Sequence, residues 1–261
     1  MEFSLVRVWT VILRYFYSYG RNINKSFEFF FWPLIDTVLF GFIGMGTSDG
    51  SHPELLAGLL VGLILWQITQ RTSMEISRNL LQEIWDENLV NFFATPLTIF
   101  EWITGLLSLG FIITFLITIP YAALIVYGIF GYNLFALGWL LLPSILLLIV
   151  SGWILGFIAA SMLIYWGQQI DILVWALPWL PTPFCSIYYP VAVLPKWMQL
   201  ISKGLPMSYV FEGLRFTIRT GQTSYWHLGM SATLNILYLL ITLSLFFYMF
   251  KKSKAKGLGS F

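Results

Sequence analysis

Hydrophobic residues run through this chain in long blocks, and polar residues gather in short intervals between them. Six blocks stand out, at residues 27–46, 53–73, 99–130, 134–166, 170–193 and 228–250. A helix needs about 20 residues to cross a hydrocarbon core, so each block is expected to span a bilayer. The third and fourth exceed that length and are expected to tilt or to project beyond it. The fifth holds Pro178, Pro181, Pro183 and Pro190. Proline removes a backbone donor and breaks a regular helix, and the freed carbonyls need partners inside lipid. This crossing is therefore expected to end near Trp179. Residues 181–221 then form short broken or re-entrant helices at one membrane face.

Two intervals have a pattern of their own. Over residues 3–25, Arg7, Arg14, Arg21 and Lys25 recur at spacings of seven, seven and four. At 100° per residue they fall within about 40° of one another on a helix, opposite Leu5, Trp9, Ile12, Phe16 and Ile23. This predicts an amphipathic helix in the membrane interface, with its cationic stripe toward anionic lipid. Residues 75–97 combine Arg78, Glu83, Asp86 and Glu87 with Leu80, Leu81, Ile84, Trp85, Leu89 and Phe92. They are expected to form one cytoplasmic helix ended by Pro96, since the residue before a proline disfavours the helical region. Composition leaves two readings open for it, a solvated loop helix or a docking helix for a soluble partner.

Composition gives the same fold class. Of 261 residues, 58% are hydrophobic and 10% charged, against about 25% charged in soluble domains. The expectation is an all-α integral membrane protein, residues 1–261 forming a single transmembrane domain of six helices. A net charge of +2 gives no indication of nucleic acid. The N-terminal stretch holds arginines and no small-residue cleavage site, so it is not read as a cleavable signal. Lysine and arginine gather at both ends, in Arg7, Arg14, Arg21 and Lys25 and in Lys251, Lys252, Lys254 and Lys256. Both termini are therefore expected in the cytoplasm, which demands an even number of crossings. The loops 47–52 and 131–133, free of basic residues, are expected outside. Lys196, Lys203, Arg215 and Arg219 run against that rule, because they lie in the segment placed outside.

Candidate chemistry is sparse. Glu28, Asp36, Glu101 and Asp171 are the ionisable groups in or beside the apolar blocks, with Asp36 the most central. A charge at mid-bilayer costs about 2.5–3.5 kcal/mol on insertion scales and usually faces protein or water. Asp36 is thus either a polar contact at a subunit seam or pathway, or a protonated or locally bonded aspartate; Glu28 and Glu101 are expected near interfaces. Trp166, Trp175, Trp179, Tyr188 and Tyr189 cluster around the fifth crossing. Aromatics favour membrane interfaces; the alternative is a stacking surface for sugar rings or a flat amphiphile. No G-x-x-x-x-G-K-[ST] loop and no H-E-x-x-H occur, and the single cysteine, Cys185, permits neither an intrachain disulfide nor a cysteine zinc cluster. A proton-coupled carrier would need a chain of buried charges, which the sequence lacks.

Two stretches carry a family resemblance. One is Glu87-Asn-Leu-Val-Asn-Phe-Phe-Ala-Thr-Pro96-Leu, followed by Glu101. The other is Leu194-Pro195-Lys-Trp197, followed by Leu205-Pro206-Met-Ser-Tyr209-Val-Phe-Glu212-Gly-Leu-Arg215. In this order, with the amphipathic N-terminus and the proline-broken fifth block, the chain resembles the membrane subunits of the ABC type-2 exporter family over nearly its whole length. Leu205 stands where the family more often has asparagine before the proline.

The resemblance implies that two permease copies, usually a homodimer, enclose a pathway in the cell (inner) membrane. It also implies that two ATPase subunits dock below and bind the ATP and Mg; this chain holds no cofactor. Residues 75–97 become the coupling helix, with Glu83, Asp86 and Glu87 meeting the ATPase and Trp85 and Leu89 as anchors. Asp36 and the Trp/Tyr cluster become pathway candidates. Pro195, Trp197, Pro206, Tyr209, Glu212 and Arg215 mark an external re-entrant region, which accounts for the basic residues outside. The expected cargo is a polysaccharide, glycolipid or other amphiphile; the alternatives are drug, lipid or ion efflux, or an intramembrane lipid-processing enzyme.

Overall fold

The computed structural model describes residues 3–47 and 53–257, and every regular element among them is a helix. Helix α1 spans Leu5–Arg21, α2 Ile23–Thr47, α3 Pro53–Trp85 and α4 Leu89–Ala94. Helix α5 (Ile99–Ile113) passes through a π-helical turn, Thr114–Thr118, into α6 (Ile119–Phe130). A 3₁₀ turn, Leu134–Leu140, leads into α7 (Leu141–Trp166), and α8 covers Ile172–Trp179. Short helices follow, including α9 (Lys196–Lys203) and α10 (Pro206–Thr220), before α11 (Tyr225–Lys256).

Four helical stretches are long and apolar enough to cross a membrane: Lys25–Gly46, Ile99–Phe130, Leu134–Ile170 and Tyr225–Lys256. They match the first, third, fourth and sixth blocks. The second block is the front of α3, which continues without a break into the polar interval behind it. The fifth is short: the apolar helix Ile172–Phe184 rises about 20 Å at 1.5 Å per residue. Its α-helical part ends at Trp179, where the proline run begins. The expected outer loop at 47–52 lies almost wholly outside the described residues.

Two expected elements are corrected. The helix placed over 3–25 stops at Arg21, because Asn22 is extended (φ −107°, ψ 98°), and Lys25 belongs to α2. The single helix placed over 75–97 does not exist as one element. Helix α3 runs through Glu75 to Trp85, the chain turns at Glu87 (φ 51°), and α4 follows. Thr95, before Pro96, is extended (φ −74°, ψ 167°), as the proline ring demands.

Helices α3 and α7 form the centre of the fold, and small residues set their separation. A Cβ on Gly152 would lie 1.9 Å from Thr72 Oγ1 and 2.5 Å from Thr69 O; one on Gly156 would lie 2.7 Å from Ser73 O. Across this seam Thr69 Oγ1 donates to Leu148 O at 3.3 Å. Asn235 of α11 donates to Leu147 O at 3.2 Å and accepts from Ser151 Oγ at 2.8 Å. Lipid tails are as apolar as the side chains, so close backbone approach and such hydrogen bonds, rather than hydrophobic burial, hold membrane helices together.

Helix α1 lies along the start of α5 and reaches α3 through its side chains, burying Val8, Val11 and Tyr15. Leu5, Trp9 and Phe16 stay exposed on its outer face, while Ile12, expected beside them, is buried and Ile23 belongs to α2. The basic stripe does not simply face outward. Arg7 pairs with Glu101 at 2.7 Å and Arg14 with Glu83 at 2.8 Å. An unpaired carboxylate inside protein is costly, and these two are already in place where α1 packs.

Candidate functional site: a polar groove and an acidic turn

A groove of about 420 Å³ opens between α2, α3 and α8. A proline lines it. Pro33 sits inside α2 and has no N–H, so the carbonyl four residues earlier, that of Phe29, lacks its helical donor. Arg71 of α3 fills the gap: its Nη2 donates to Phe29 O at 2.5 Å and to Glu28 O at 3.2 Å. The guanidinium also lies 4.2 Å from the centre of the Phe29 ring. One turn away on the same face of α3, Gln67 Nε2 donates to Pro33 O at 3.2 Å and to Thr37 Oγ1 at 3.3 Å. Arg78 pairs with Glu28 at 2.9 Å and stands 5.1 Å from the Trp175 ring centre. Trp32, Trp175 and Trp179 wall the remainder, and Asp36 lines it from α2.

The groove therefore gathers three of the six expected pathway residues, Asp36, Trp175 and Trp179. The others do not line it. Trp166 packs edge-on against Tyr165 at 4.8 Å at the end of α7. Tyr188 meets Phe40 at 5.0 Å, and Tyr189 donates to Pro183 O at 2.9 Å. Arg71, Gln67 and Gln70 were not singled out by sequence. Their only mark is the Gln67-Ile-Thr-Gln70-Arg71 interval at the end of an apolar run.

The acidic turn is more selective than its composition. Trp85, Asp86 and Glu87 are exposed, with Asp86 accepting from Gln82 Nε2 at 3.0 Å. Glu83 is 2% exposed and accepts from Arg14 Nη2 at 2.8 Å, Tyr15 OH at 3.0 Å and Asn88 Nδ2 at 2.7 Å. Leu89 is buried in the core. Glu83 and Leu89 thus leave the expected docking set: they hold α1 and α4 in place. Burial, with Glu83 alongside, pushes the Tyr15 hydroxyl up. Trp102 Nε1 donates to that hydroxyl at 3.0 Å.

Glu101 is fully buried within the protein. It accepts from Arg7 Nη2 and Ser4 N, each at 2.7 Å, and closes a capping box with Thr98 at the start of α5. Its hydrogen bond holds the Arg7 guanidinium above its usual range. Tyr19 donates to a third carboxylate, Glu75. Helix α1 is thus fastened at three points, two on α3 and one on α5.

The Pro195–Arg215 motif builds a clamp. Pro195 precedes α9 and Pro206 opens α10. Tyr209 donates to Lys203 O at 3.0 Å, and Trp197 stays exposed. Glu212 accepts from Val191 N at 2.9 Å and from Ser186 Oγ, while Arg215 Nη2 donates to Ile187 O at 2.7 Å. Those contacts press Ile187 against α3, where a Cβ on Gly62 would come within 2.5 Å of Ile187 O.

No curated protein matches the chain. The family model described as ABC-2 type transporter matches residues 5–218, from α1 through nearly all of α10. With four apolar helices long enough to cross a bilayer, the chain belongs to the ABC-2 type transporter family and is a transmembrane subunit of an ABC transporter.

Proposed function

We propose that the chain is the permease of an ATP-driven exporter. It works as a pair of identical copies, powered by two separate ATPase subunits that bind ATP and Mg. It crosses the cell (inner) membrane six times, counting α3 and the 172–184 segment as crossings, with both termini in the cytoplasm. Helix α1 lies in the inner interface with its apolar outer face on lipid. The α9–α10 region is re-entrant on the outer side. The groove of Asp36, Arg71, Trp175 and Trp179 borders the pathway and favours an amphiphilic cargo such as a lipid or glycolipid.

The observation that carries this reading is the exposed turn Trp85–Asp86–Glu87 at the end of α3. An indole and two carboxylates stand at the tip of a 33-residue helix that packs along α7. A soluble partner gripping that tip moves the whole of α3, and ATP bound in that partner supplies the preference for one state that coupling requires. A P-loop ATPase encoded in a neighbouring reading frame is the expected partner.

The test is co-purification of the chain with that ATPase from detergent-solubilised membranes. Combined Trp85→Ala, Asp86→Lys and Glu87→Lys changes are expected to cut recovery of the ATPase about tenfold or more, with membrane insertion retained. Undiminished co-purification overturns the docking assignment.

A further inference from the structure

The groove between α2, α3 and α8 holds two opposite charges, Arg71 and Asp36, that attract each other across it without forming an ion pair. Arg71 is bonded to main-chain carbonyls, and no carboxylate among the described residues lies within ion-pair distance of it. Asp36 lines the same cavity and makes no hydrogen bond or ion pair with a described residue. Arg78 and Glu28, by contrast, satisfy each other at 2.9 Å.

Two buried amide atoms lining the groove are also without partners, Gln67 Oε1 and Gln70 Nε2. The residues that carry them are 5% and 9% exposed. Gln67 uses its nitrogen on Pro33 O and Thr37 Oγ1, which leaves its oxygen as an acceptor beside the Asp36 stretch of α2. Gln70 offers a donor to the same cavity. The cavity wall thus offers two acceptors, Asp36 and Gln67 Oε1, and two donors, Arg71 and Gln70 Nε2. Buried polar atoms without partners are costly, and ionisable groups at membrane depth are costlier. A ligand carrying both charges would satisfy all four groups together. The indoles of Trp32, Trp175 and Trp179 complete the wall with flat apolar faces, which suit a hydrocarbon body and attract an ammonium.

We propose that this groove binds a zwitterionic amphiphile. Its phosphate-type anion meets Arg71 and Gln70, its ammonium meets Asp36 and Gln67, and its apolar body lies along the indoles. The assignment rests on the groove bordering the pathway, and it names the headgroup class of the cargo.

The test is tryptophan quenching of the purified full-length chain in a neutral maltoside detergent, titrated with brominated-chain lipids of three headgroups. These are phosphoethanolamine (zwitterionic), phosphoglycerol (anionic) and a quaternary ammonium (cationic). The zwitterion is expected to bind about tenfold tighter than either singly charged lipid. Asp36→Asn is expected to reduce zwitterion binding about tenfold while leaving the anionic lipid unaffected or improved. Arg71→Gln is expected to reduce zwitterion and anion binding and spare the cation, and Arg71→Lys to restore most of the loss. A crossover of this kind separates recognition from a folding defect, which lowers all three headgroups together. Equal affinities, a preference for the anionic or cationic lipid, uniform losses in both variants, or displacement by inorganic phosphate alone would each overturn the proposal. None of these readings involves the ATPase, so failure here is distinguishable from failure of the coupling assignment.

Discussion

Glu83→Ala is expected to destabilise the protein by about 3 kcal/mol and to release α1 from the body of the molecule. The carboxylate accepts from Arg14, Tyr15 and Asn88, and Tyr15 in turn accepts from Trp102 inside the core. Its loss strands the buried Tyr15 hydroxyl, and this outweighs the loss of Arg14, whose side chain is 46% exposed and can turn to water. For a chain of this size the melting temperature in detergent is expected to fall by roughly 6–12 °C. Trypsin is expected to cut after Arg14 or Arg21 under conditions that leave the wild type intact. The exchange Arg14→Glu with Glu83→Arg is expected to recover part of the loss. Asp86→Ala, three residues on but exposed, is expected to stay within about 0.5 kcal/mol of wild type. If Glu83→Ala melts within about 2 °C of wild type, the fastening role is wrong.

Gly152→Ala is the second large effect, expected at about 2–3 kcal/mol. The added methyl would overlap Thr72 Oγ1, which can rotate, and Thr69 O, which belongs to a helix backbone and cannot. Helices α3 and α7 must part, and the Thr69-to-Leu148 hydrogen bond goes with them. Gly110→Ala provides the control. Its methyl would meet Glu75 Cβ at 3.8 Å, an ordinary contact, so stability is expected to be unchanged or slightly raised. Equal melting temperatures for the two variants would show that the seam is loose enough to absorb a methyl group.

The apolar blocks announced the helices because length and hydropathy are local properties. The proline run likewise announced the end of α8 at Trp179. The partners of the charges were not local. The seven-residue spacing of Arg7 and Arg14 fixes their common face on α1 but not what that face meets. The answers, Glu101 and Glu83, lie 94 and 69 residues away. Glu83, Asp86 and Glu87 read as one acidic cluster because they fall within five residues of sequence. The helix stops at Trp85, so the later two leave its path while Glu83 stays against the core. Arg71 was hidden for a related reason: the vacancy it fills is made by Pro33 on another helix.

The unbroken course of α3 has a mechanical consequence. Its tightest approach to α7 falls near Thr72 and Gly152, closer to Trp85 than to Pro53. A rod rocking about that fulcrum has arms of about 20 Å and 28 Å at 1.5 Å per residue. A 5° tilt would displace the Trp85 end by ~1.7 Å and the Pro53 end by ~2.5 Å. The seesaw is lopsided, so a small push at the acidic tip would arrive enlarged at the opposite extremity.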